Sequence, residues 1–165
     1  MAVSENTLKW AMRFYPPLFF QRIWVVKFDK EFRGVQVKIN KSIFTKNYNN
    51  AIFGGTIFSA ADPFYPVLFY QLLTIKGYRI IAWSKASHIH FLKPAMTDLV
   101  FKINIDDKML SKCVQALKTA GKFVKVFVID IYDKNNQLCV SVSNEVYVRD
   151  LNFEPVSNDP DNHGE

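Results

Sequence analysis

Phe53-Gly54-Gly55-Thr56-Ile57-Phe58-Ser59-Ala60-Ala61-Asp62-Pro63-Phe64-Tyr65-Pro66 opens a long apolar stretch that runs on to Ile75 with Asp62 as its only charge. The stretch from Thr56 to Ile75 reads as one buried helix interrupted near Asp62. Pro63 cannot donate to the carbonyl of Ser59, nor Pro66 to that of Asp62. Either the helix kinks there, or it restarts with Asp62 as N-cap and Pro63 at the first helical position. Both readings place a carboxylate beside an irregular turn, in apolar surroundings. The helix has no polar face, so other elements must cover most of it.

The flanking sequence supplies the cover. Ser4 to Thr7 offers N-cap residues for a helix over 5–15, ended by Pro16-Pro17. Strands are expected at 21–29 and around Val35, Val37 and Ile39, joined by the hairpin connection 30–34. After the apolar helix come strands at 79–93 and 98–105. A short helix over 108–117 follows, capped by Asp106-Asp107, and then a hairpin of 122–133 with 137–149. In its second strand Leu138, Val140, Val142, Val146 and Val148 alternate with Cys139, Ser141, Ser143, Glu145 and Tyr147. The order predicts an α+β fold, one antiparallel sheet of about six strands wrapped around a long central helix. Residues 1–149 are expected to form one domain and the acidic 150–165 a disordered tail.

Composition bounds the function. At 165 residues the chain can bury roughly 70% of its unfolded surface without disulfides. It is 49% hydrophobic and 22% charged, which excludes intrinsic disorder, and its 15 Phe demand a large core, cavity or interface. Asp62, Pro63 and Pro66 rule out a membrane span in the most apolar region. With Lys9 and Arg13 near the start and no clean apolar run, a signal peptide is not expected. Cys113 and Cys139 have no metal spacing, and two free buried thiols in a reducing cytoplasm are expected. His88 and His90 share a strand face without a third ligand, so no metal is expected. The net charge of +6 resides in residues 1–50, which hold nine Lys/Arg against three Asp/Glu. That asymmetry suits an anionic ligand, a nucleic acid or a membrane surface. Nucleic-acid binding is disfavoured, because no zinc spacing, basic helix or glycine-bracketed aromatic strand accompanies it.

Gly54-Gly55 at the mouth of a helix lets backbone N–H groups approach a ligand, and the helix N-terminus adds partial positive charge. Such amides can polarise a carbonyl or hold an oxyanion. A lone acid such as Asp62 in an apolar helix needs partners, and is a site candidate on that ground. Asn50 and Phe53 precede the glycines and Thr56 follows them, close enough to touch a substrate. Ser59 has no His and Asp partners within sequence reach for a triad.

These residues carry a resemblance. GGTIFSAAD is similar to the motif of the phenylacetyl-CoA-type (PaaI-like) thioesterases of the hotdog superfamily, which reads His-Gly-Gly, a few apolar residues, a small residue and Asp; Phe53 stands at the His position. His88-Ile89-His90-Phe91-Leu92-Lys93-Pro94, with Asp98 beyond, resembles that family's third strand, where Thr97 replaces a Gly. The uncharacterised bacterial branch with Asp-Pro-Phe after two alanines resembles the chain most. The resemblance implies a hotdog fold and hydrolysis of an acyl-CoA or acyl-carrier-protein thioester without a cofactor. It puts carbonyl polarisation on Gly55 or its neighbour Gly54, and the water-activating or nucleophilic role on Asp62. It also implies a homodimer, with a dimer of dimers as a further option, and cationic contacts to CoA phosphates from the N-terminal half, Lys85 and Lys93. The alternative is a hotdog protein that binds acyl-thioesters or lipids without hydrolysing them.

Overall fold

The structure, a computed structural model, describes residues 3–154. Its elements are α1 (Glu5–Phe14), α2 (Pro16–Phe20), β1 (Ile23–Phe28), β2 (Gly34–Ile39), α3 (Gly54–Ala61), α4 (Phe64–Ile75), β3 (Ile80–Phe91), β4 (Leu99–Asn104), α5 (Asp107–Ala120), β5 (Lys122–Asp133) and β6 (Leu138–Asp150). The six strands form one sheet in the order β1-β2-β4-β5-β6-β3, and every pairing is antiparallel. The expected α+β architecture is therefore present, with α3 and α4 as the central helix.

Alternation sets the faces. Val35, Val37 and Ile39 of β2, Leu99, Phe101 and Ile103 of β4, and Val140, Val142, Val146 and Val148 of β6 are all buried. They meet Ile57, Ala60, Ala61, Phe64, Leu68, Phe69 and Leu72 of the central helix in one core. Rings fix the helix on the sheet: Phe64 meets Phe101 edge-on at 5.9 Å, and Tyr65 stacks on Phe127 at 4.3 Å. Phe69 lies 5.7 Å from both Phe123 and Phe127. Burial pushes the Tyr65 phenol up to about 12. The aromatic run is core up to Phe69, and Tyr70 faces outward.

Several boundaries differ from the sequence expectation. α1 stops at Phe14, and Pro16-Pro17 start a second short helix instead of a loop. Proline suits a first turn, where its missing N–H would have had no partner. α5 runs past Leu117 to Ala120 and ends at Gly121 with φ 67°, a left-handed cap. Its N-cap is as expected, with the Asp106 carboxylate accepting from Met109 N–H at 2.6 Å. The expected tail boundary falls inside β6. Asp150 N–H bonds the Gly121 carbonyl at 2.9 Å, and Leu151 N–H bonds that of Arg79 at 2.8 Å. Residues 155–165 lie outside the described residues.

The two sheet edges differ. β1 is covered by α1, whose Arg13 Nε donates to the Val25 carbonyl at 2.8 Å, next to a bulge between Val25 and Lys27. β3 pairs with β6 along its whole length and with no other strand among the described residues. Its free edge carries twelve residues.

Candidate functional site

The central helix opens at Phe53, an extended N-cap residue. Thr56 and Ile57 return their N–H groups to the Phe53 carbonyl at 3.0 and 3.3 Å. The amides that start the helix without an intrahelical acceptor are thus those of Gly54 and Gly55. Both glycines lie against exposed aromatic rings. A Cβ on Gly54 would lie 2.8 Å from the Phe91 ring, and one on Gly55 would collide with the ring of Phe53. The two rings flank the amides with apolar surface.

An open cleft of about 600 Å³ lies over this helix end, lined by Asn47, Phe53, Gly54, Ile57, Phe91 and Pro94 among others. Phe53 is 58% exposed beside it. Thr56 is buried, its amide is bonded to the Phe53 carbonyl, and it does not line the cleft. Asn50 faces elsewhere. It adopts φ 57° in a turn closed by its N–H to the Asn47 carbonyl, and it lines a second cleft of about 430 Å³ with Lys41, Lys46, Thr97, Asp98 and Lys134. Asn47 Oδ1 accepts from the Asn49 and Ala51 N–H groups at 3.0 and 3.2 Å, which fixes the loop that separates the two clefts.

Asp62 sits at the junction of α3 and α4. Its φ and ψ of −64° and −53°, and those of Pro63 at −83° and −19°, are helical. The junction is therefore a kink, and Asp62 is not an N-cap. Contrary to the expectation of apolar surroundings, its side chain is exposed. It takes part in no hydrogen bond or ion pair among the described residues.

What the sequence reading missed is how the kink is held. Pro66 brings no N–H to the Asp62 carbonyl, the Ala61 carbonyl lies at the same break, and two strands donate to them. Ser84 Oγ of β3 donates to the Asp62 carbonyl at 3.0 Å. Asn144 Nδ2 of β6 donates to the Ala61 carbonyl at 2.9 Å. Asn144 is fully buried, and its Oδ1 is unpartnered among the described residues. The signal was present, since Asn144 stands at an inward position in the row Val140, Val142, Val146, Val148. Within α3, Ser59 Oγ donates back to the Gly55 carbonyl at 2.9 Å.

Gly54 thus touches Phe91 at one end of β3, and Asp62 is tied to Ser84 toward the other. The rise of about 1.5 Å per residue puts Gly55 and Asp62 about 10 Å apart along the helix. Asp62 does not line the 600 Å³ cleft of its own chain.

Other candidates are placed as follows. His88 and His90 are exposed on the free strand. Lys85 pairs with Glu145 at 3.0 Å, and Lys93 donates to Gln137 at 3.3 Å. Asp98 binds the Lys41 N–H at 2.9 Å and Lys38 Nζ at 2.8 Å. Desolvation opposes its charge, but these donors outweigh it and hold the carboxyl below its usual range. Cys113 and Cys139 are both buried free thiols, and burial pushes the Cys113 thiol up to about 12.

Solved structures share this architecture. A probable thioesterase from Pseudomonas aeruginosa superposes with a TM-score of 0.81 at 12% identity, covering 91% of this chain and 98% of its own. A Haemophilus influenzae thioesterase gives 0.67 at 13% identity, covering 93% and 96%. The PaaI protein of the Escherichia coli phenylacetic acid degradation operon gives 0.56 at 16% identity, covering 90% and 96%. No curated protein sequence matches the chain. The fold is the hotdog fold that the sequence resemblance implied. The family model described as a domain of unknown function, DUF4442, matches residues 5–148, and the chain belongs to that family.

Proposed function

We propose that the protein hydrolyses acyl thioesters at a site shared by two copies of the chain. The observation that carries this reading is the placement of two halves of a hydrolytic site at opposite ends of one helix. Gly54 lines an apolar cleft at the helix mouth, with the unpartnered amide of Gly55 next to it, and a free carboxylate, Asp62, stands about 10 Å away beside an open sheet edge. One helix cannot bring both to a single carbonyl carbon.

A two-fold pairing of β3 with its copy does. Antiparallel strands exchange ends, so a pairing centred between Ser87 and His88 sets Ser84 of one copy opposite Phe91 of the other. The partner's Asp62 then approaches the cleft at Gly54 and Gly55. The thioester oxygen accepts from these amides, which with the helix dipole stabilise the developing oxyanion. Asp62 takes a proton from water as the water oxygen bonds to the carbonyl carbon. Collapse of the tetrahedral adduct breaks the C–S bond, and the thiolate leaves and is protonated. Phe53, Ile57 and Phe91 supply apolar surface for the acyl group. The cationic second cleft, with Lys41, Lys46 and Lys134, adjoins the first through the loop at Asn47 and suits the phosphates of CoA or of an acyl-carrier protein's pantetheine arm.

A thiol-release screen over acyl-CoAs of graded chain length, including an aromatic acyl group, tests the activity. Turnover with at least one member is expected. Saturable binding across the panel without thiol release would assign the protein to the non-hydrolytic, thioester-binding class instead.

A further inference from the structure

The edge of the sheet opposite β3 carries a surface that the site does not use. α1 turns Leu8 and Met12 into the core, yet its outer side presents Trp10 and Phe14. Trp10 stacks on Phe14, Phe14 on Phe19, and Phe19 meets Phe20 edge-on, with centroids 6.0, 6.2 and 5.5 Å apart. Trp24 of β1 joins through Arg13, whose guanidinium lies 4.8 Å from Trp10 and 5.5 Å from Trp24. Phe14 is 66% exposed and Phe20 73%. So large a run of outward rings is unusual for an unpartnered protein surface.

Cations are threaded through it. Lys9 lies 5.3 Å from the Trp10 ring, and Arg22 lies 5.7 Å from that of Phe44. Two of the three acids of residues 1–50 are engaged elsewhere. Glu5 accepts from the Glu31 N–H at 2.8 Å, and Asp29 pairs with Lys27 and Lys102. Lys9, Arg13 and Arg22 have no carboxylate partner among the described residues.

We propose that this α1–α2–β1 face binds the surface of an anionic lipid bilayer. Aromatic rings favour the level of the lipid headgroups, and cations among them meet anionic headgroups there. A second copy of the same face fits less well, since it would bring two cationic faces together. A nucleic acid fits less well too, because the faces of Trp10 are already taken by Phe14 and Arg13. The face lies across the sheet from β3, so both surfaces can be used at once.

The test uses the full chain and vesicles of phosphatidylcholine with or without phosphatidylglycerol. Expected are sedimentation with the anionic vesicles only, and a blue shift of tryptophan emission in a Trp83→Phe background, where Trp10 and Trp24 alone report. The double variant Phe14→Ser/Phe20→Ser should bind at least about tenfold more weakly with unchanged far-ultraviolet circular dichroism. Lys9→Glu should weaken binding and make what remains less sensitive to salt. Arg13 is left intact because it covers the β1 edge. Absence of binding to anionic vesicles overturns the proposal, as does undiminished binding by the double variant. Self-association abolished by Phe14→Ser/Phe20→Ser without vesicle binding would assign the face to a second copy, and retention on single-stranded oligonucleotides but not vesicles would assign it to nucleic acid.

Discussion

Asp62→Asn is expected to lower the rate of thiol release by roughly 100- to 10,000-fold, the range associated with loss of a general base. The substitution keeps the side chain's size and removes only its capacity to take a proton. Stability should change by less than about 0.5 kcal/mol, because the side chain is exposed and without partners among the described residues. Acyl-CoA binding should persist, since the amides of Gly54 and Gly55 and the apolar cleft are untouched. Steady-state thiol release, with a denaturation curve alongside, measures both quantities. A variant that matches the wild-type rate removes Asp62 from the chemistry, while loss of rate together with loss of fold would show that the kink depends on the carboxylate.

The largest effect on stability is expected at Asn144. Asn144→Asp replaces an N–H donor with an oxygen facing the Ala61 carbonyl, at a fully buried position. The new carboxyl can donate to that carbonyl only when protonated, and burial raises its pKa above the unfolded value near 3.9. The sign follows from the raised folded value. Stability is retained below about pH 4 and is lost as pH rises through the folded pKa, by about 1.4 kcal/mol per unit until that value or global unfolding is reached. At neutral pH the loss should be about 3 to 5 kcal/mol, as for an unpaired buried charge. Asn144→Leu leaves the Ala61 carbonyl without its donor and should cost about 1 to 3 kcal/mol at every pH. Urea denaturation from pH 4 to 8, referred to the wild type, separates the two. Equal stability of Asn144→Asp at both ends of that range would mean that the side chain is hydrated rather than sealed against the helix.

Much of this was legible from local signals. The period-2 alternation in β2 and β6 gave strand and face together, and the unbroken apolarity from Thr56 to Ile75 identified the helix that a sheet must cover. Gly54-Gly55 marked the helix mouth. What failed was anything that depends on partners distant in the chain. The choice between kink and restart at Asp62-Pro63 is settled by Ser84 and Asn144, which lie far downstream and donate to the carbonyls at the break. Asp62 was expected among apolar groups because its sequence neighbours are apolar. A kinked helix turns those neighbours inward and leaves the residue at the joint facing out. Asn50 was grouped with the glycines by proximity in sequence, but the turn at Asn47 directs it to the other cleft. Pro16-Pro17 stopped one helix as expected and began another, because the same ring that ends a helix suits a first turn.

In the proposed hydrolysis, two copies of the chain each supply half of one site. Gly55→Pro removes one of the two free amides in the first helical turn, where proline is tolerated, and its Cβ meets the exposed ring of Phe53, which can turn aside. Homodimers of Gly55→Pro and of Asp62→Asn should both be nearly inactive. Mixed dimers purified by two different tags should recover about half the wild-type activity, because one of their two sites combines the intact amides of one chain with the intact carboxylate of the other. Mixed dimers as inactive as both parents would contradict a site shared across the β3 edge.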